Sequence, residues 1–169
     1  MSDVTKFLKD DHARLRRAIA EYQRTPNNLM AAMNVCDILA IHLKIERDLI
    51  YPAMWESLSD QQESVVGGAD DTLYQRMEAV ENLQPDDPTV SQKMTALSRA
   101  VSDHVSASLN YVEPKLLGRP DGMEMGAEAF RRWQEAFEQQ MPRAWQPMNR
   151  LANTGWGGGG GGSVGNTGW

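Results

Sequence analysis

The chain has 169 residues, a formal net charge of −6 and a pI near 5.1, and its 17 Lys and Arg residues form no cluster, so neither nucleic acid nor an anionic membrane surface is an expected partner. No apolar run approaches the roughly 20 residues that span a bilayer, and a lone Cys36 excludes an internal disulfide. The start, MSDVTKFLKDD, lacks the apolar stretch of a secretory signal, which makes a cytoplasmic protein the expectation.

Val4, Phe7, Leu8, Leu15, Ile19 and Tyr22 recur at spacings of three and four and predict a first amphipathic helix, capped by Ser2 or Asp3 and ended by Thr25-Pro26-Asn27. His12 lies on its inward stripe. A second helix is predicted from Asn27 or Asn28 toward Tyr51, with Leu29, Met33, Cys36, Leu39, His42, Glu46 and Leu49 on one side before Pro52 disrupts it. Cys36, among Val35, Ile38 and Leu39, reads as a buried thiol with no redox role. A third helix, between about Asp60 and Gln84, turns Val66, Ala69, Leu73, Met77, Val80 and Leu83 inward, with Gly67-Gly68 weakening its first turn. Asp87 as cap and Pro88 in the first turn open a fourth helix, with Val90, Met94, Leu97, Val101, His104, Ser108, Tyr111 and Val112 inward. Joined by short connections, these helices predict an all-α fold, an up-down-up-down four-helix bundle.

After a turn at residues 118–122, Ala127, Phe130, Trp133, Phe137, Met141, Trp145 and Met148 predict an additional C-terminal amphipathic helix, with Pro142 and Pro147 as kink points. It should lie against the bundle or a second subunit, anchored by Trp133 and Trp145. From Asn153 the chain reads NTGWGGGGGGSVGNTGW, a Gly-rich tail expected to be disordered, serving as a linker or as a docking peptide ending in Trp169. The expected organisation is therefore a bundle over 1–117, a helical extension over 118–152 and a tail over 153–169. A homo-oligomer or a protein partner would be engaged through residues 123–169.

The chain holds three histidines, His12, His42 and His104, and each falls on the buried stripe of a different helix. Two of them head segments of one outline, His42-Leu-Lys-Ile-Glu46-Arg-Asp-Leu-Ile-Tyr51-Pro52 and His104-Val-Ser-Ala-Ser108-Leu-Asn-Tyr111-Val-Glu-Pro114. The spacing of four puts His42 and Glu46 one turn apart on one face, where both reach a single metal ion. Buried imidazoles and a carboxylate without partners would be costly, and coordination satisfies them. A single core histidine is more often held by a backbone carbonyl, but three at comparable depth favour metal. Tyr51 and Tyr111 occupy equivalent places in the two segments and would border the site or pack at the surface.

Asp11-His12 with Leu15, His42-x-x-x-Glu46 with Tyr51-Pro52, and His104 with Pro114 together resemble the haemerythrin-like (HHE cation-binding) domain family over about residues 3 to 117. The resemblance implies a four-helix bundle with a non-haem di-iron centre bridged by two carboxylates, used with oxygen, peroxide or nitric oxide, or in iron storage and sensing. It assigns His12, His42, Glu46 and His104 as metal ligands. Two positions depart from that pattern. The third helix has no histidine: hydrophobic phase puts Leu73 in the ligand place, and counting back from Pro85 points to Asp71, with Asp70 or Asp71 as a substitute carboxylate if the helix is rotated. The second bridging carboxylate is replaced by Ser108, a poor ligand for iron. The expectation is a mononuclear or asymmetric iron site, with manganese or zinc as other metals of suitable type, binding or processing a small oxidant such as O2, peroxide or NO. Two other readings stand beside it: a metal-free helical scaffold, and a mononuclear non-haem iron enzyme whose organic substrate enters beside Ser108 and Leu73.

Overall fold

The computed structural model describes residues 3–140, and every regular element among them is helical. In chain order they are α1 (Val4–Arg24), α2 (Leu29–Ile45), a π-helical segment (Glu46–Ile50), α3 (Tyr51–Met54), a 3₁₀ turn (Trp55–Ser57), α4 (Asp60–Glu81), α5 (Val90–Ala107), a second π-helical segment (Ser108–Val112), α6 (Glu113–Leu116) and α7 (Gly122–Gln140). The four long helices α1, α2, α4 and α5 form the predicted bundle, α1 packing on α2 and α4 on α5.

Local chemistry sets the helix starts. The Asp3 carboxylate accepts from the Lys6 N–H at 2.8 Å, and the Asn28 side chain accepts from the Ala31 N–H at 3.1 Å, each satisfying an otherwise unpaired first-turn donor. Ser59 and Gln62 form a reciprocal capping box that pins α4 at Asp60, so Gly67 and Gly68 lie inside the helix, where neither side meets a close neighbour. The start of α5 differs from expectation. Asp87 accepts from the backbone N–H and hydroxyl of Thr89, organising the turn before the helix rather than capping it, and the helix begins at Val90. Asn27 and Asp86 take the left-handed conformation in the α1–α2 and α4–α5 turns, which their short polar side chains tolerate.

Neither Pro52 nor Pro114 ends its helix outright. A proline cannot donate to the carbonyl four residues back, and its ring crowds that carbonyl. The chain instead widens by one residue, so that the Tyr51 N–H bonds Glu46 O and the Glu113 N–H bonds Ser108 O, each across five residues. The extra residue shifts the inward face beyond each segment. Ile50, rather than the expected Leu49, is fully buried, and Val112 and Glu113 point inward while Tyr111 is only half-buried. In α4 the inward stripe is Val66, Asp70, Leu73, Met77 and Val80, with Asp70 in the place assigned to Ala69.

The apolar side chains divide into two cores. One gathers around Leu15, Leu39, Leu73, Met94 and Leu97 near the α1–α2 and α4–α5 turns. The other, around Leu8, Ile45, Ile50, Met54 and Leu116, fills the opposite end. Leu97 is fully buried, and Leu97→Ala is expected to lower unfolding free energy by about 2–5 kcal/mol in chemical denaturation, as a cavity in a packed core does.

Helix α7 lies against α1 and α2. Met125 and Ala129 are buried in the second core, with Trp133, Ala136 and Phe137 packed against it. Ala127 and Phe130, expected inward, are exposed because the true stripe follows Met125, Ala129, Trp133 and Phe137. Met141, Trp145, Met148 and the Gly-rich tail lie outside the described residues.

Candidate metal centre

The boundary between the two cores is polar, and it is reached by each long helix. On α1, His12 sits between Leu8 of one core and Leu15 of the other. His42 on α2 and Glu46 at the head of the π-helical segment that follows it face the same point, on α5 His104 does, and on α4 Asp70 approaches it from behind His104. His12, His42, Glu46 and His104 are all buried, and each offers one ligand atom within 4.8 Å of the others.

The closest separations have the size of a coordination shell. His42 Nε2 and His104 Nε2 are 2.9 Å apart, Glu46 Oε2 lies 3.2 Å from His104 Nε2 and 3.4 Å from His42 Nε2. Ligands bound at about 2.0–2.2 Å to one ion are separated by roughly 3.0–3.5 Å along the edges of its polyhedron. The rings pack accordingly, with centroids 5.1 Å apart for His12 and His42 and for His42 and His104, and 5.9 Å for His12 and His104.

Behind the histidines stand carboxylates. The His42 Nδ1–H donates to Asp11 Oδ2 at 2.9 Å, and the His104 Nδ1–H donates to Asp70 Oδ1 at 2.7 Å. Because a carboxylate only accepts, these bonds fix the hydrogen on Nδ1 and turn both Nε2 lone pairs toward each other. Two lone pairs at 2.9 Å require a cation between or beside them. Glu113 completes the pattern less tightly, its Oε1 3.8 Å from His12 Nδ1 and its Oε2 3.8 Å from the exposed Lys9 ammonium. Tyr51 adds a cross-link: its hydroxyl lies 3.1 Å from Glu46 Oε2 and 2.8 Å from Asp70 Oδ2. Burial, then the charges of Glu46 and Asp70, push the phenol well above its usual range, so it stays a hydroxyl with one hydrogen for two acceptors.

The electrostatics describe a site that demands positive charge. Burial opposes ionisation of Glu46, but His42 and His104 outweigh it and hold the carboxyl well below its ordinary range. Burial lowers His42 too, yet Glu46 and Asp11 lift it to about 10; Glu46 and Asp70 lift His104 to about 9 against the same opposition. The 2.9 Å gap between the two Nε2 atoms has room for one hydrogen. His12 goes the other way: burial and then His42 lower it to about 3, leaving it neutral. Burial likewise raises Glu113, against the pull of Lys9. His12 Nε2, Glu46 Oε1, Ser108 Oγ and Glu113 Oε1 are buried without a hydrogen-bond partner. Atoms left this way cost about 1–3 kcal/mol each. Three imidazoles and a carboxylate, with partnerless donors aimed inward, fit a borderline divalent ion such as iron, manganese or zinc.

The remaining positions fall into place around this cluster. Ser108 is buried at the first residue of its π-helical segment, as Glu46 is in the other. Leu73 is fully buried in the apolar core, and Asp71 is exposed. Asp70 therefore contributes from α4 by holding His104, not by facing the centre itself. A surface cleft of about 370 Å³ between α2 and α7 is lined by Ile41, Lys44, Arg132 and Ala136 among others, and by none of the four clustered residues. Two roles were missed in the sequence, Asp11 as the partner of His42 and Glu113 behind His12, while Tyr51, expected at the border of the site or at the surface, lies between two carboxylates. The four-three-four spacing of Val66, Asp70, Leu73 and Met77 carried the signal for Asp70; the π-helical phase shift hid Glu113.

Comparison with known families adds one match: the hemerythrin HHE cation binding domain, over residues 3–116. No match was found among curated proteins or among solved structures. The matched span includes His12, His42, Glu46 and His104 and ends before α7.

Proposed function

The chain belongs to the haemerythrin HHE cation-binding family, and from that premise we propose that it is a non-haem metal-binding protein with a reduced, one-ion site that binds or processes a small oxidant such as O2, peroxide or NO. The reading is carried by the convergence of three histidines and Glu46 within 4.8 Å in the dry interior. His12, His42, His104 and Glu46 would hold the ion, iron by preference and manganese or zinc by donor type. Iron held there would supply one-electron redox chemistry and affinity for small oxidants. The protein's own part is to exclude bulk water with the two apolar cores, to orient His42 and His104 through Asp11 and Asp70, and to keep a neutral hydroxyl, Tyr51, hydrogen-bonded beside Glu46. With Leu73 on α4 and Ser108 at the head of the second π-helical segment, the positions that the family uses for a second ion offer an apolar side chain and an alcohol, which supports one ion over two. The same burial of Leu73 weighs against an organic substrate entering beside it.

Elemental analysis of freshly isolated protein, with absorption spectra under reducing and oxidising conditions, tests the proposal. The expected result is about one metal ion per chain and a spectrum that responds to peroxide or NO. Fully folded protein devoid of metal, and unable to take it up, would overturn the reading in favour of a metal-free scaffold.

Metal uptake should also depend on pH with a definite sign. His42 and His104 are raised to about 10 and about 9 in the metal-free chain, so near neutrality an incoming ion displaces a proton. Apparent affinity is expected to rise from pH 6 to 8, by about ten-fold per pH unit for each proton that leaves as the ion binds. Chelator competition at three pH values, with proton release followed in weak buffer, measures this; a pH-independent affinity would contradict it.

A further inference from the structure

We infer that α7, which lies beyond the matched domain, is part of the scaffold of the metal site, with Arg14 and Trp133 acting as positioning residues for Asp11 and, through it, for His42. The inference rests on the reading of His42 as a metal ligand. A continuous set of contacts carries it. The His42 Nδ1–H donates to Asp11 Oδ2 at 2.9 Å, and Arg14 Nη1 donates to the other oxygen, Asp11 Oδ1, at 3.0 Å. The Arg14 guanidinium carbon sits 4.3 Å from the Trp133 ring centroid, and Trp133 stacks on Phe137 with centroids 5.0 Å apart and planes 12° from parallel. Each contact has a physical purpose. Asp11 is fully buried, and a buried carboxylate is costly unless opposite charge and hydrogen bonds surround it; Arg14 supplies a permanent charge and one of those bonds.

Arg14 is in turn a long side chain that would otherwise sample many rotamers. The face of Trp133 attracts the guanidinium through its π-electrons and confines it over the gap between α1 and α7. Without that cation, the Asp11 carboxylate loses the partner that holds it against His42 and is free to turn away. Such a turn removes the acceptor that keeps the His42 hydrogen on Nδ1 and its Nε2 lone pair free. A helix outside the cation-binding domain thus reaches a ligand inside it through three side chains.

The test uses the full-length chain with Arg14→Met, Trp133→Leu and Trp133→Phe, each compared with Asp11→Asn. Two quantities are measured: Fe(II) retention against a chelator, and the His42 Nδ1–H signal in nitrogen-15 spectra of metal-free protein. Asp11→Asn is expected to weaken retention about 10–100-fold, as loss of a ligand's outer carboxylate does. Arg14→Met should lose about ten-fold and Trp133→Leu about three-fold, both with broadening of the ring signal, while Trp133→Phe, which keeps an aromatic face, recovers most of the effect. If Arg14→Met and Trp133→Leu lower only the melting temperature, leaving retention and the ring signal as in the parent, α7 merely covers the bundle and the inference falls. A parent chain that takes up no iron would sink the proposed function, and the ring signal in the metal-free protein would still decide the coupling.

Discussion

His42→Ala is expected to abolish metal loading, from about one ion per chain to less than about a tenth, in elemental analysis of protein purified in parallel with the parent. His42 stands at the centre of the cluster: its ring touches Asp11 on one side and His104 and Glu46 on the other, and it is fully buried. Its removal takes away one of the four clustered groups proposed to hold the ion and leaves Asp11 to Arg14 alone. His12→Ala should be milder, because His12 makes no hydrogen bond under 3.5 Å to its nearest carboxylate, Glu113. Retention of a stoichiometric ion by His42→Ala would show that the ligand set is drawn wrongly.

The second large effect is expected from Glu46→Gln, which keeps the shape of the side chain and removes its charge. Metal affinity should fall by more than about 100-fold, since even carboxylates one bond removed from an ion are worth about 10–100-fold. A further readout needs no metal. Glu46 is the foremost group lifting His42 and His104 against burial, so in the glutamine variant their titration should move down from about 10 and about 9 toward the ordinary histidine value near 6.5. Imidazole signals followed by NMR as pH is raised would show it. Rings that still held their protons to about pH 9 in the variant would mean that Asp11 and Asp70 alone set the balance.

Much of this arrangement was legible in the residues. The periodic apolar stripes placed four bundle helices and put His12, His42 and His104 at comparable depths, and the family resemblance rested on the same positions. The parts that were not legible share a cause. Stripe reading assumes one helical period throughout, and Pro52 and Pro114 each force one extra residue into the turn before them. Beyond those points the phase slips, which is why Leu49 was expected where Ile50 is buried and why Glu113 escaped notice. Asp70 was weighed as a substitute ligand, whereas it acts one step out, holding His104. A charge on an inward stripe is ambiguous until its partner from another helix is known. Arg14 and Trp133 belong to that class: nothing local in either segment announces a contact between residues more than a hundred positions apart.

The division of the interior into two apolar cores with a charged layer between them carries a consequence for how this molecule tolerates change. The bundle has a waist, and the cores above and below it share no buried residue. Substitutions deep in the two cores, at Leu97 in one and Met54 in the other, fall in separate clusters and are expected to combine nearly additively, whereas Ile41 and Leu43 belong to different cores and both adjoin His42. The waist itself has less freedom, because Asp11, His42, Glu46, Tyr51, Asp70 and His104 are each the partner of another. Variation between relatives of this chain should therefore be permissive at the ends and concerted in the middle, with His, Asp and Glu changing together or not at all.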